Sequence, residues 1–351
     1  MTSCDRPNLK DMTPSELEQV ISSLGKEKYR ARQIMKWIYG SGVTDLEAMT
    51  TLAADFRREL GELVRISALR IMGIQTAKDG TKKILYQLED GLTVESVLIP
   101  GKNHWTICIS TQAGCQMGCK FCLTGQGDFK RDLLPSEITD QITQARLHTP
   151  EGPLLRNCVL MGMGEPLANY ENTLKALQII TADAGLNFSG RRITVSTSGL
   201  IPGIEQLGRD ICVNLAISLN AADNKTRSEL MPINRKYPLD QLLAACNRYP
   251  LPGRRLLTFE YVLIGGVNSS AKDAQNLCRL LKGTRCKLNL IAFNEFLGSP
   301  YRKPNEKDVL AFQKILIENH FTAIVRKSHG DDIMAACGQL SGDHFPGRLP
   351  E

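Results

Sequence analysis

Three cysteines, Cys115, Cys119 and Cys122, fall in the stretch GCQMGCKFC from Gly114 to Cys122. Their C-x3-C-x2-C spacing follows a strand-like run, Trp105 to Ser110, so one tight loop carries three thiols. Thiolates are soft ligands, and three on one loop can hold a metal centre. A structural zinc ion normally takes a fourth protein ligand. Cys108 or His104 could in principle supply it, but neither has the usual paired spacing. A [4Fe-4S] cluster takes four ligands, so three cysteines leave one iron open to a small molecule, which a cluster that only passes electrons does not need. The other cysteines, Cys4, Cys108, Cys158, Cys212, Cys246, Cys278, Cys286 and Cys337, lie apart, and by residue type alone they read as packing.

Such a loop must be held by a rigid frame. Up to about Arg70 the pattern is helical. Thr13 with Glu16 makes a capping-box start before Leu17, Val20, Ile21 and Leu24, Gly25 stops that helix, and further helices are expected over Arg30–Tyr39 and Leu46–Leu60. Strand-like runs follow at Lys83–Leu88, Val94–Ile99 and Trp105–Ser110, separated by Asp90-Gly91 and Pro100-Gly101 turns. Beyond the cysteines, strands at Cys158–Met161, Ile193–Ser196, Val213–Leu219, Phe259–Ile264 and Cys286–Ile291 alternate with helical stretches such as Pro135–Leu147 and Asn172–Ala182. Repeated βα units imply an α/β fold with a parallel sheet. About six strands fall short of a closed eight-stranded barrel, and strand-end loops are the expected seat of chemistry. The expected division is a helical N-terminal domain (1–70), a β-rich connector (71–104), the βα core (105–342) and a C-terminal tail (343–351).

The chain has 351 residues, of which 42% are hydrophobic and 23% charged, values ordinary for a globular protein of roughly two domains. No run reaches the length a membrane span needs, and Met1–Lys10 lacks the basic-then-apolar order of a secretory leader, so no membrane association and a reducing cytoplasm are expected. The net charge of +6 suits a polyanionic partner without proving one. Lys26, Lys28, Arg30, Arg32 and Lys36, interleaved with Tyr29, Trp37 and Tyr39, fit either a solvated helix face or an RNA footprint.

The cysteine spacing with Phe121 immediately before Cys122 resembles the radical S-adenosylmethionine (SAM) superfamily. Met161–Asn169 (MGMGEPLAN), Thr194–Gly199 (TVSTSG), Ile217–Asn220 (ISLN), Met231–Asn234 (MPIN) and His329–Leu340 (HGDDIMAACGQL) resemble the RlmN/Cfr family of adenine RNA methyltransferases, over about Ser15 to Gly342. His329-Gly330-Asp331-Asp332 sides with the C2-methylating branch rather than the C8-methylating Cfr branch. Two positions depart from the family pattern: His329 stands where Arg is frequent, and Asn220 where His is frequent.

The resemblance implies a partial (βα)6 TIM-like barrel of the radical SAM type, with one [4Fe-4S] cluster on Cys115, Cys119 and Cys122 and SAM as cofactors. C2 of adenine is an electron-poor carbon that cannot attack a sulfonium methyl group, so a carbon radical must add to the ring and the methyl group must be carried on the enzyme. Cys337 is the implied methyl carrier, and Cys108, seven residues before the first cluster ligand, the thiol that releases product through a Cys108–Cys337 disulfide. Glu95 is the implied proton acceptor. Gly164 and Glu165 are the implied contacts to the methionine amino group, and Ser196, the strand end Ser218, Leu219 and Asn220, and Asn294 those to the rest of the cofactor. The implied substrates are adenosine 2503 of 23S rRNA and adenosine 37 of certain tRNAs, gripped by the helix-hairpin-helix-like stretch Leu24–Gln33. A flavodoxin or ferredoxin is the implied electron donor, and the chain is expected to act as a monomer.

Overall fold

The computed structural model describes residues 6–149 and 154–342, so Cys4 and the 343–351 tail lie outside the described residues. Helices α1 (Pro14–Ser23), α2 (Tyr29–Met35) and α3 (Ala54–Leu63) come first, followed by strands β1 (Arg70–Thr76), β2 (Lys82–Gln87), β3 (Thr93–Pro100) and β4 (His104–Cys108). The cysteine loop carries the two-residue strands β5 (Gln112–Ala113) and β6 (Arg131–Asp132) with helix α4 (Leu123–Gln126) between them. Then come α5 (Pro135–Arg146), β7 (Leu154–Leu160), α6 (Tyr170–Thr181), β8 (Ile193–Thr197), α7 (Ile201–Asp210), β9 (Asn214–Ser218), α8 (Asn224–Leu230) and α9 (Leu239–Arg248). The last elements are β10 (Leu257–Leu263), α10 (Ala271–Leu280), β11 (Cys286–Ala292), α11 (Glu306–Glu318) and β12 (Thr322–Arg326).

Ten strands form one sheet in the order β1-β2-β3-β4-β7-β8-β9-β10-β11-β12. From β4 to β12 every pairing is parallel, and each strand lies beside the one that follows it in this series. This is the partial TIM-like barrel expected from the alternation of strands and helices. It has seven parallel strands where six are legible in the sequence. The seventh, β12, is an edge strand with only Ala323 fully buried, so its hydrophobic signal is weak. The antiparallel strands β1, β2 and β3 hydrogen-bond onto β4, so the 71–104 stretch is continuous with the core sheet.

The N-terminal helices dock on α5 and α6. Lys10 and Asp140 form a fully buried ion pair at 2.7 Å, Ser136 N donates to Asp11 Oδ1 at 2.8 Å, and Lys175 reaches Glu16 at 2.6 Å. The Thr13–Glu16 capping box is present, with Thr13 Oγ1 accepting from Glu16 N and Glu16 Oε2 from Thr13 N. The helix expected over Arg30–Tyr39 is α2 followed by a π-helical turn, Lys36–Gly40. Leu46–Leu60 is not one helix: a short 3-10 turn, Leu46–Ala48, precedes α3, and the β-branched pair Thr50-Thr51 falls at the break. Arg32 pairs with Asp183 and Lys26 with Glu59 at the surface, while Lys28 and Lys36 are exposed.

Candidate active site

The ends of the parallel strands surround an open cavity of about 160 Å3. Cys115, Cys119 and Cys122 line one side of it. Their loop leaves the sheet at Gly114, whose φ of +80° and closeness to Asp128 O, 2.0 Å from where a Cβ would sit, admit no side chain. A turn from Cys122 N to Cys119 O and the start of α4 at Cys122 bring the thiols together. Burial raises all three thiols, Cys115 to about 12, and each of Cys115 and Cys119 is raised further by its cysteine neighbours. Phe121 also faces the cavity and packs with Met231, Phe293 and Phe296.

Across the cavity, Gly164 has φ +99° and its Cβ position would clash with Gln112, so only glycine fits there. The next residue, Glu165, is 3% exposed. Its Oε2 accepts from Ser198 N at 2.7 Å and its Oε1 from Leu167 N at 3.1 Å, yet burial outweighs these bonds and raises its pKa. Ser196, Ser218, Asn220 and Asn294 line the same space, whereas Leu219 stands behind it with both backbone groups engaged, N to Glu260 O and O from Arg227. Asn220 has φ +60°, a conformation asparagine tolerates, and its Oδ1 accepts from Val262 N, so this departure from the family pattern has a structural role.

Cys337 reaches the cavity from a C-terminal strap, residues 327–342, that leaves β12 and crosses the site. Leu123 N donates to Gly338 O, Asn294 Nδ2 to Cys337 O, Gln339 to Glu295 O, and Ser341 N and Gly342 N to Glu95 Oε2. Solvent in the cavity reaches Cys337, but the protein packed around it still desolvates the thiol, pushing it up to about 11, with the carboxylate of Glu260 adding to the shift. Cys108 is buried at the end of β4 between Val97 and Val159. Burial raises its thiol well above the ordinary range, and Cys337 lies close enough to raise it further. Glu95 does not line the cavity: it is fully buried on β3, 3.3 Å from Lys83 and bonded to the strap.

Comparison with known proteins fits this geometry. A family model described as "Ribosomal RNA large subunit methyltransferase N-terminal domain" matches residues 7–66, and one described as "Radical SAM superfamily" matches 109–281. "Dual-specificity RNA methyltransferase RlmN" of Syntrophus aciditrophicus (strain SB) is 62% identical over 98% of this chain and 99% of its own length. The chain belongs to the RlmN family of radical SAM methyltransferases. The protein of the same name from Geobacter sulfurreducens is 52% identical over 95% of this chain and 92% of its own. A solved radical SAM methyltransferase from Sphaerobacter thermophilus superposes with a TM-score of 0.89 at 42% identity, covering 96% of this chain and all of that one.

Radical SAM methyltransferases use a [4Fe-4S] cluster and SAM, and the donor set fits both. Among the described residues no three Cys, His, Asp or Glu side chains converge closely enough to hold one metal ion. Three cysteines on one loop suit a cluster with a fourth ligand position open, whereas a structural zinc ion would need a fourth protein ligand. On the SAM side, Glu165 is a buried carboxylate that an ammonium group would offset, and Ser198, whose amide donates to it, is buried in the same wall. Ser198 escaped the sequence analysis, as did Glu260, a cavity-lining carboxylate beside Cys337 held by Asn289 at 2.8 Å. A charge in the middle of the apolar strand LTFEYVL was the signal for Glu260. No helix among the described residues is long and apolar enough to cross a membrane.

Proposed function

We propose that this enzyme methylates C2 of adenosine in RNA, at adenosine 2503 of 23S rRNA and adenosine 37 of certain tRNAs, with Cys337 as methyl carrier. The observation that carries this reading is that the Cys337 thiol shares one cavity with the three cluster thiols, Glu165 and Asn294, while Cys108 lies within electrostatic reach behind it. A cluster enzyme without a carrier has no use for a thiol there.

Bound at this site, the cluster and SAM supply the hydrogen-abstracting radical. Cys115, Cys119 and Cys122 would hold the cluster. Gly164 lets the backbone approach the cofactor, Glu165 meets its ammonium group, and Ser196, Ser218 to Asn220 and Asn294 orient the remainder. Cys337 takes a methyl group as thiolate nucleophile, presents it over the cavity, and forms the new carbon bond to the base from that carbon. Glu95 accepts the C2 proton once the strap amides of Ser341 and Gly342 release its Oε2. Cys108 then attacks the Cys337 sulfur and breaks its bond to the new methyl carbon, which takes up a proton as the base leaves, while the adduct's unpaired electron would return to the redox centre that supplied it; the remaining disulfide is reopened by a cytoplasmic thiol pool. A flavodoxin or ferredoxin supplies the electron, and the enzyme works as a monomer.

The test is anaerobic reconstitution with iron, sulfide, SAM and a reductant, followed by mass spectrometry of digested 23S rRNA and tRNA. 2-Methyladenosine is the expected product; 8-methyladenosine would assign the Cfr-like activity instead, and unmodified RNA with intact SAM cleavage would remove the RNA-methylation reading. A second prediction concerns grip. Replacing Lys28, Arg30 and Arg32 together with Ala is expected to weaken RNA binding roughly tenfold at low salt and flatten its salt dependence, with iron content unchanged. Equal affinity for RNA at several salt concentrations would assign these residues to the solvated helix face.

A further inference from the structure

Arg227 on α8 has no exposed side-chain surface, and no carboxylate lies within ion-pair distance of it among the described residues. Among the described residues its hydrogen bonds go to neutral acceptors: Nε to Leu219 O at 3.0 Å, Nη1 to Asn234 Oδ1 at 3.0 Å, and Nη2 to Ser198 O at 2.7 Å and Ser218 O at 3.1 Å. Removing a guanidinium from water without an opposing charge is costly, and neutral carbonyls repay it only in part. Helix α8 is bound to the cysteine loop, with Lys120 N donating to Leu230 O at 3.0 Å and Leu230 packing with Cys119, and this sets the guanidinium near two thiols, Cys119 of that loop and Cys246 of α9. Burial pushes the Cys246 thiol up to about 12, with Cys286 adding to the shift. Cys119 differs, because a thiol that ligates iron is deprotonated outright.

We infer that Arg227 is the fixed counter-charge of the iron–sulfur site, a buried cation set behind Cys119 that favours the reduced form of the cluster. The inference rests on the assignment of the cluster to Cys115, Cys119 and Cys122. Reduction brings one electron from an external one-electron donor, breaks no bond and takes up no proton, so the site gains one unit of negative charge. A cation held nearby in a low-dielectric wall stabilises that form most. The same guanidinium ties together the backbones of Ser198, Ser218 and Leu219, so it also positions the strand ends that face the cofactor.

Two roles, charge and clamp, call for variants that separate them. The full-length chain, loaded anaerobically, is titrated with dithionite and mediators while the reduced cluster is followed by electron paramagnetic resonance, with iron and sulfide counted per chain. Arg227→Met is expected to lower the reduction equilibrium constant at least tenfold, ~59 mV for one electron. Arg227→Lys, which keeps the charge and loses the fork, is expected to stay within about threefold of wild type. Asn234→Asp supplies a reading even if Arg227→Met fails to load: it sets a carboxylate against Nη1 with the guanidinium in place, and is expected to shift the potential in the same direction as Arg227→Met. An unchanged potential in Asn234→Asp, or an equal shift in Arg227→Lys and Arg227→Met, overturns the counter-charge role. Failure of the wild-type chain to take up iron and sulfide would overturn the cluster assignment itself and this inference with it.

Discussion

Cys337→Ala is expected to lower methylated RNA by at least about 10^3-fold while the reconstituted protein keeps its iron, its sulfide and its ability to bind SAM. No other thiol can replace it. The remaining cysteines that line the cavity are Cys115, Cys119 and Cys122, the proposed iron ligands, and Cys108 is buried behind the wall on β4. The substitution costs little stability, because Cys337 borders the open cavity and its removal leaves no closed void; a change within about 0.5 kcal/mol is expected. The strap stays in place, since it is held by backbone groups of Gly338, Ser341 and Gly342 and by the Cys337 carbonyl, none of which the substitution removes. Quantifying 2-methyladenosine and iron on the same preparation checks this. Wild-type levels of product would sink the carrier mechanism, and loss of iron would show that Cys337 supports the cluster loop instead.

Asp140→Ala is expected to destabilise the protein by about 3–5 kcal/mol, the usual cost of stranding one member of a buried ion pair. Lys10 and Asp140 are 1% and 2% exposed, and the other oxygen of Asp140 accepts from Leu69 N at 2.6 Å, so the variant leaves both an ammonium and an amide without their carboxylate. The pair lies where the N-terminal helices meet α5, so their docking should loosen first, lowering RNA affinity at unchanged cluster content. Thermal unfolding is expected to shift down by roughly 4–7 °C. Replacing both partners, Lys10→Met with Asp140→Leu, should recover most of the loss, because an apolar pair needs no compensation in the core. A loss below about 1 kcal/mol in the single variant would mean that other contacts hold the module.

The features legible in the sequence are local ones. The capping box at Thr13 and Glu16 spans three residues, and the glycine at 114 is demanded by a turn inside its own loop. The βα alternation follows from apolar periodicity within each element, which is why β7 to β11 are where the sequence places them. β12 was not legible, because an edge strand buries little and leaves a weak pattern. Arg227 and Lys10 look like surface cations in their own segments; what buries them lies elsewhere in the chain. Glu95 was singled out only through the family resemblance, and its bond to the strap amides depends on residues some 250 positions away.

The sequence by itself determined the chemistry at the cysteine loop. Three thiols within eight residues are close however the rest of the chain folds, so the proposed ligand set is fixed by covalent spacing. Only the tertiary structure decided what faces that loop. Cys337 lies more than two hundred residues beyond Cys122, and no periodicity relates them. The parallel sheet gathers its strand ends around one cavity, β12 delivers the strap to its mouth, and the hydrogen bonds of Glu95, Asn294 and Leu123 hold it there. Glu260 and Ser198 enter the wall, and Arg227 comes to stand behind Cys119, through the same closure. Contacts of that range arise only when the sheet has formed, because side chains so far apart along the chain meet by burying shared surface rather than by local propensity.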